Sequence, residues 1–190
     1  IKGIEVKEIG KYAFYNCADV KKVVISSAVE RIDKSAFANC AALEEITLPS
    51  TLKYLGDYAF EDCSSLTKIE LPDGLEEVGV EAFSKTSIEK LTVPGSMKVI
   101  GTNAFGDMMN LHEIHIEEGV EEIGERAFQS AGLRDTYDAP EHWAFMDKEK
   151  AARYADHIID PAIHTEIPWW INIYLPSTIK KIGDRKSTRL

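Results

Sequence analysis

Apolar and polar residues alternate along this chain in two rhythms that take turns. In LEEITLP, Leu43 to Pro49, Ile46 and Leu48 flank Thr47, the period-two pattern of a strand with one face buried. LTKIELP from Leu66 and IEKLTVP from Ile88 repeat it. Pro49, Pro72, Pro94 and Pro176 close these segments, because proline has no N–H to give to a ladder. A second apolar pair follows at a spacing of three: Val29/Ile32, Leu52/Leu55, Leu75/Val78, Met97/Ile100, Val120/Ile123 and Ile179/Ile182. It is predicted to line the wall opposite the strands.

After each pair comes Ala-Phe, at Ala13-Phe14, Ala36-Phe37, Ala59-Phe60, Ala82-Phe83, Ala104-Phe105 and Ala127-Phe128, with intervals of 23, 23, 23, 22 and 23 residues. Six of the seven phenylalanines occupy this column. A catalytic residue is needed once, whereas a packing residue is needed in every turn, so the column marks stacked units with a continuous core. The position after the second pair is glycine at 10, 56, 79, 101, 124 and 183 and aspartate at 33, which predicts a corner held at positive φ. Alanine is expected where the corner is tight, and phenylalanine is expected to fill the coil. Cys17, Cys40 and Cys63 share one column with Thr86, Met108 and Ala131. They are predicted to be reduced, buried and stacked in adjacent coils, not a disulfide framework or a zinc site.

The phrases IGKYAF, ITLPSTLKYLGDYAFEDCSSL, IELPDGLEEVG and IHIEEGVEEIGERAF give residues 6 to 133 a repeat that resembles the BspA-like leucine-rich repeat family, in its 23-residue class. The resemblance implies a leucine-rich repeat solenoid, a right-handed superhelix of parallel β-strands, here expected to have short turns, helical corners and seven or eight coils. It also implies a surface or secreted protein associated with adhesion, hence an extracellular or cell-surface location.

Three regions are expected: six regular repeats over 1–133, a degenerate repeat with an insertion, partly helical, over 134–169, and an incomplete final repeat over 170–190. All three tryptophans, at 143, 169 and 170, fall in or beside the irregular segment. Tryptophan is favoured at binding hot spots, and it also plugs gaps where coils mismatch, which is the plainer reading.

The 190 residues are 44% hydrophobic, enough for one core or a run of stacked units, and the formal charge of −10 disfavours a nucleic-acid partner. No apolar run reaches the ~20 residues of a membrane span. The N-terminus reads like the middle of a repeat, so the chain is expected to be a piece of something longer. The acidic run Glu117, Glu118, Glu121, Glu122 and Glu125 lies at ordinary solvent-facing repeat positions, and no loop gathers its carboxylates into a calcium site. HEIH at 112–115 lacks the spacing of a zinc-protease helix, and LPSTL and LPSTI are strand ends, not sorting signals. His157, Asp160 and His164 form a weak metal candidate. No nucleophile or acid–base pair stands apart from the repeat, so no enzyme activity and no cofactor are expected.

The leading expectation is a non-catalytic module that binds a protein or glycan through outward strand positions. These are Val24, Thr47, Glu70, Thr92, His115 and Tyr174, with Trp143 and Trp169 extending the contact; no oligomeric state is implied. The alternative is a structural spacer or scaffold for another domain.

Overall fold

A computed structural model describes residues 5–132 and 172–182. The strands are β1 (Glu8–Ile9), β2 (Lys22–Val24), β3 (Arg31–Ile32), β4 (Glu45–Thr47), β5 (Tyr54–Leu55), β6 (Glu77–Val78), β7 (Lys90–Val93), β8 (Val99–Ile100), β9 (Glu113–Ile116), β10 (Glu122–Ile123), β11 (Asn172–Tyr174) and β12 (Lys181–Ile182). All named pairs are parallel, and the register follows the repeat: Val23 opposite Ile46, Ile32 opposite Leu55, Leu91 opposite Ile114. The strands form two rows, a face built from β2, β4, β7, β9 and β11 and a second wall built from β1, β3, β5, β6, β8, β10 and β12. The chain is a parallel β-solenoid, with five turns separating Phe14 from Phe128. The expected seven or eight coils include residues outside those described, as do the degenerate repeat over 134–169 and most of the final one.

The core lies between the rows and the corner. Phe37, Phe60, Phe83, Phe105 and Phe128 are fully buried, and Ala36, Ala59, Ala82, Ala104 and Ala127 are closed to solvent beside them. The rings stack nearly parallel, with centroids 4.9 Å apart at Phe14–Phe37 and 5.4 Å at Phe37–Phe60. Phe14 belongs to the column yet remains 44% exposed, because among the described residues no coil covers its outer side.

Two sequence expectations are corrected at the corners. The described residues contain no helix, so the corners are turns. Ala13, Tyr15 and Cys17 donate N–H to the carbonyls of Gly10, Tyr12 and Phe14, three residues back, whereas Tyr12, Phe14 and Asn16 donate to Lys34, Ala36 and Ala38 in the next coil. A helix needs every donor to point along its own axis. Here a left-handed residue at every fourth place turns the peptides alternately inward and across: Tyr12 and Asn16 both have φ of 60°, and Tyr58 and Asp62 have 57° and 56°. The second correction follows, because positive φ belongs to these positions and not to the glycine column. Gly56 and Gly79 are required by close approach: a Cβ would stand 2.5 Å from the Lys34 nitrogen at one and 2.4 Å from the Asp57 nitrogen at the other.

The cysteine column is stacked and free of disulfides, with Cys40 and Cys63 buried and Cys17 half-buried at the less covered end. The Cys40 thiol donates to the Phe14 carbonyl at 3.1 Å and Cys63 to the Phe37 carbonyl at 3.2 Å, so each thiol also ties its coil to the preceding one. Hydrogen bonding to Cys40, together with burial, holds the Cys63 thiol above its ordinary pKa. Thiol reagents at neutral pH are expected to modify Cys17 in the native protein and to reach Cys40 and Cys63 only after denaturation. Fast native labelling of Cys63 would contradict the burial described here.

Candidate binding face

On the face row, alternation sends Ile46, Leu91 and Ile114 into the core and their neighbours outward. The outward row is the one the repeat predicts. Thr47, Glu70, Thr92 and His115 are exposed, Val24 is 69% exposed and Tyr174 54%. The ladder holds Val24 beside Thr47, Thr92 beside His115 and His115 beside Tyr174, whose rings lie 5.8 Å apart. Trp143 and Trp169 lie outside the described residues, so their place relative to this row is not assigned.

A parallel row carries charge. Lys22 pairs with Glu45 at 2.8 Å and Lys90 with Glu113 at 2.8 Å, which raises the Lys90 pKa. Lys68 and Glu70, one coil between these pairs, have no hydrogen-bond or ion-pair partner among the described residues. A cleft of 180 Å³ runs beside them, lined by Glu45, Thr47, Leu48, Lys68, Ile69 and Glu70. It is smaller than the ~300 Å³ at which small-molecule sites begin. Among the described residues, no group of three or more His, Cys, Asp or Glu side chains is placed to hold a metal ion.

The second wall holds an arrangement that the sequence reading missed. One column reads Lys7, Glu30, Lys53, Glu76, Lys98, Glu121, Lys180, with strict alternation of sign. Lys7 meets Glu30 at 2.8 Å, Lys53 meets Glu76 at 3.3 Å and Lys180 meets Glu121 at 2.8 Å. The acidic run therefore works as mortar between coils. Glu121 and Glu122 pair with Lys180 and Lys181, and Glu118 accepts from the Ser177 backbone, which lowers its pKa. The column is visible in the sequence when charge, like phenylalanine, is aligned on the repeat.

Parallel strands, a stacked phenylalanine column and an open strand face define a leucine-rich repeat solenoid. The sequence profile described as the BspA type leucine rich repeat region (6 copies) matches residues 5–137, and the chain belongs to that family. Among solved structures it is similar to the leucine rich repeat protein of T. pallidum, with a TM-score of 0.72 and 25% identity over 96% of this chain and 69% of that one. A leucine-rich repeat protein from Bacteroides ovatus shares the fold at a TM-score of 0.60 and 24% identity, over 94% of this chain and 43% of its own. The pneumococcal vaccine antigen PcpA does so at 0.59 and 22% identity, over 90% of this chain and 39% of its own. This chain thus spans less than half the length of the last two proteins. No curated protein matches the sequence.

Proposed function

We propose that this solenoid is a non-catalytic binding or adhesion module of a surface or secreted protein, and that it takes a protein or glycan partner on the strand face. The observation that carries this reading is the outward row from Val24 to Tyr174, in which Val24, His115 and Tyr174 stay exposed while Ile46, Ile69, Leu91 and Ile114 behind the row are buried. A row repeating at about 4.8 Å suits an extended partner, whereas a compact small molecule needs a concave pocket. The extracellular location rests on the family and on the likeness to a protein described as a vaccine antigen.

The test is adhesion of the purified protein to immobilised extracellular-matrix proteins and a glycan panel. Glu70→Lys together with Lys90→Glu is expected to reduce binding about tenfold or more, on the scale of interface charge changes that cost over ~1.4 kcal/mol. Glu76→Lys with Glu121→Lys, on the second wall, is expected to leave it unchanged. Greater damage from the second-wall pair would place the partner elsewhere. The spacer reading is favoured by the self-paired charges of the second wall, and it prevails if no surface on the panel retains the protein.

A further inference from the structure

We infer that a seam between the Phe83 and Phe105 coils divides the solenoid into two units, residues 5–86 and residues 88–132 with 172–182, which open independently about the corner.

Both rows part at this level. The second wall splits into β1-β3-β5-β6 and β8-β10-β12, and the face splits into β2-β4 and β7-β9-β11, with residues 67–71 between them in no ladder. Elsewhere each coil of the second wall gives the same bonds to its predecessor: Lys53 and Tyr54 to the Glu30 carbonyl and Gly56 to Ile32, then Glu121 and Glu122 to Lys98 and Gly124 to Ile100. Among the described residues, Lys98, Val99 and Gly101 make no such bonds to Glu76 and Val78. In the corner, Phe14, Phe37, Phe60 and Phe105 each donate to the next coil's alanine, and Phe83 does not.

Separation accompanies the missing bonds. The Phe83 and Phe105 centroids are 6.1 Å apart, the widest step in the stack. A Cβ built on Gly101 finds its nearest neighbour, the Val78 oxygen, at 3.7 Å, where the same atom on Gly79 would stand 2.4 Å from the preceding coil. A groove of 720 Å³ opens there, lined by Glu76, Glu77, Gly79, Lys98, Val99 and Thr102 among others. The two buried side-chain oxygens without a partner among the described residues, on Ser84 and Asn103, flank the same junction.

The sequence supplies the cause. Cys63 is followed by two residues before Leu66, but Thr86 by only one before Ile88, so this turn is a residue shorter than the one before it. The charge row of the face slips phase at the same place, which puts Lys68 and Lys90 in neighbouring coils where opposite signs meet elsewhere, as at Lys22–Glu45 and Lys90–Glu113. What remains at the corner is Glu81 to Asn103 at 2.9 Å and Lys85 to Asp107 at 3.0 Å, with Ser87 bonded back to Leu66 at 2.9 Å, and on the second wall the Ser96 hydroxyl donates to the Leu75 carbonyl. A joint tied along one side, with its wall ladders broken and one side-chain bond on the second wall, behaves as a hinge. In a solenoid, where neighbouring interfaces carry cooperativity, a weak interface separates the units on either side.

Native-state hydrogen exchange on the whole chain tests this. Leu75→Ala, in the Phe83 coil, removes a fully buried side chain and is expected to speed exchange at Lys53 and Gly56, one coil away on its own side, about 30-fold or more. Asn103 and Phe105, one coil away across the seam and bonded to Glu125 and Ala127, are expected to change less than threefold. A larger acceleration across the seam overturns the inference. If the variant does not fold, the unmodified protein serves: with added urea, the amides of the two units are expected to follow separate exchange isotherms, and a single shared isotherm overturns it.

Discussion

Phe60→Ala is expected to lower stability by about 3 to 5 kcal/mol, the range for emptying a large aromatic site in a core. Phe60 is fully buried, lies 5.4 Å from Phe37 and 5.6 Å from Phe83, and donates its N–H to Ala82 at 2.8 Å, so the coils on both sides are pinned and cannot close the hole. Phe14→Ala removes the same atoms from a ring that is 44% exposed and has one stacking neighbour. Less area returns to water and less cavity forms, so the cost should be well below that at Phe60. Urea denaturation followed by far-ultraviolet circular dichroism measures both, and equal losses would contradict a stack in which each ring depends on its neighbours.

The second large effect concerns a single added methyl. Gly79→Ala is expected to cost about 1 to 3 kcal/mol, as for overpacking of a filled site, because the new Cβ would fall 2.4 Å from the Asp57 nitrogen and backbone has no rotamer to escape through. Gly101→Ala, one coil on, meets nothing nearer than 3.7 Å. There the lost freedom of the unfolded chain dominates, and the variant should be neutral or stabilised by up to ~1 kcal/mol. The paired melting temperatures decide the point, since identical shifts would mean the two coils are equally close to their predecessors.

These glycines also show how far the sequence could be read. The period, the parallel stacking, the inward phenylalanines and the outward row from Val24 to Tyr174 all follow from burial, which apolar spacing records faithfully. The corners were misjudged because left-handed backbone is usually signalled by glycine, and here it is taken up by Tyr12, Tyr58, Glu81 and Arg126. The backbone N–H groups of Tyr12, Tyr58 and Glu81 are bound to the next coil, a tertiary cause that leaves no local mark. Gly56 and Gly79 answer to the same neighbours, being small because another coil passes within contact. As for the binding face, Lys68 and Glu70 have opposite charges and neither has a partner among the described residues, so the row carries no net sign from which a ligand could be deduced. Trp143 and Trp169 are predicted from residue type and from their place in or beside the irregular segment, and both lie outside the described residues.

The alternating direction of the inter-coil bonds has a consequence for length. At the corner the N–H groups of Tyr12, Phe14 and Asn16 point toward later coils, while on the second wall those of Glu30, Arg31 and Asp33 point toward earlier ones. Each set resembles a strip of aligned peptide dipoles, and the two strips run antiparallel through the same cross-section. In an α-helix every peptide adds to one macrodipole with partial charge at its ends. Here the corner and the second wall of each coil contribute opposing moments, so appending a repeat adds little axial field and the dipoles set no steep limit on how many coils such a protein stacks.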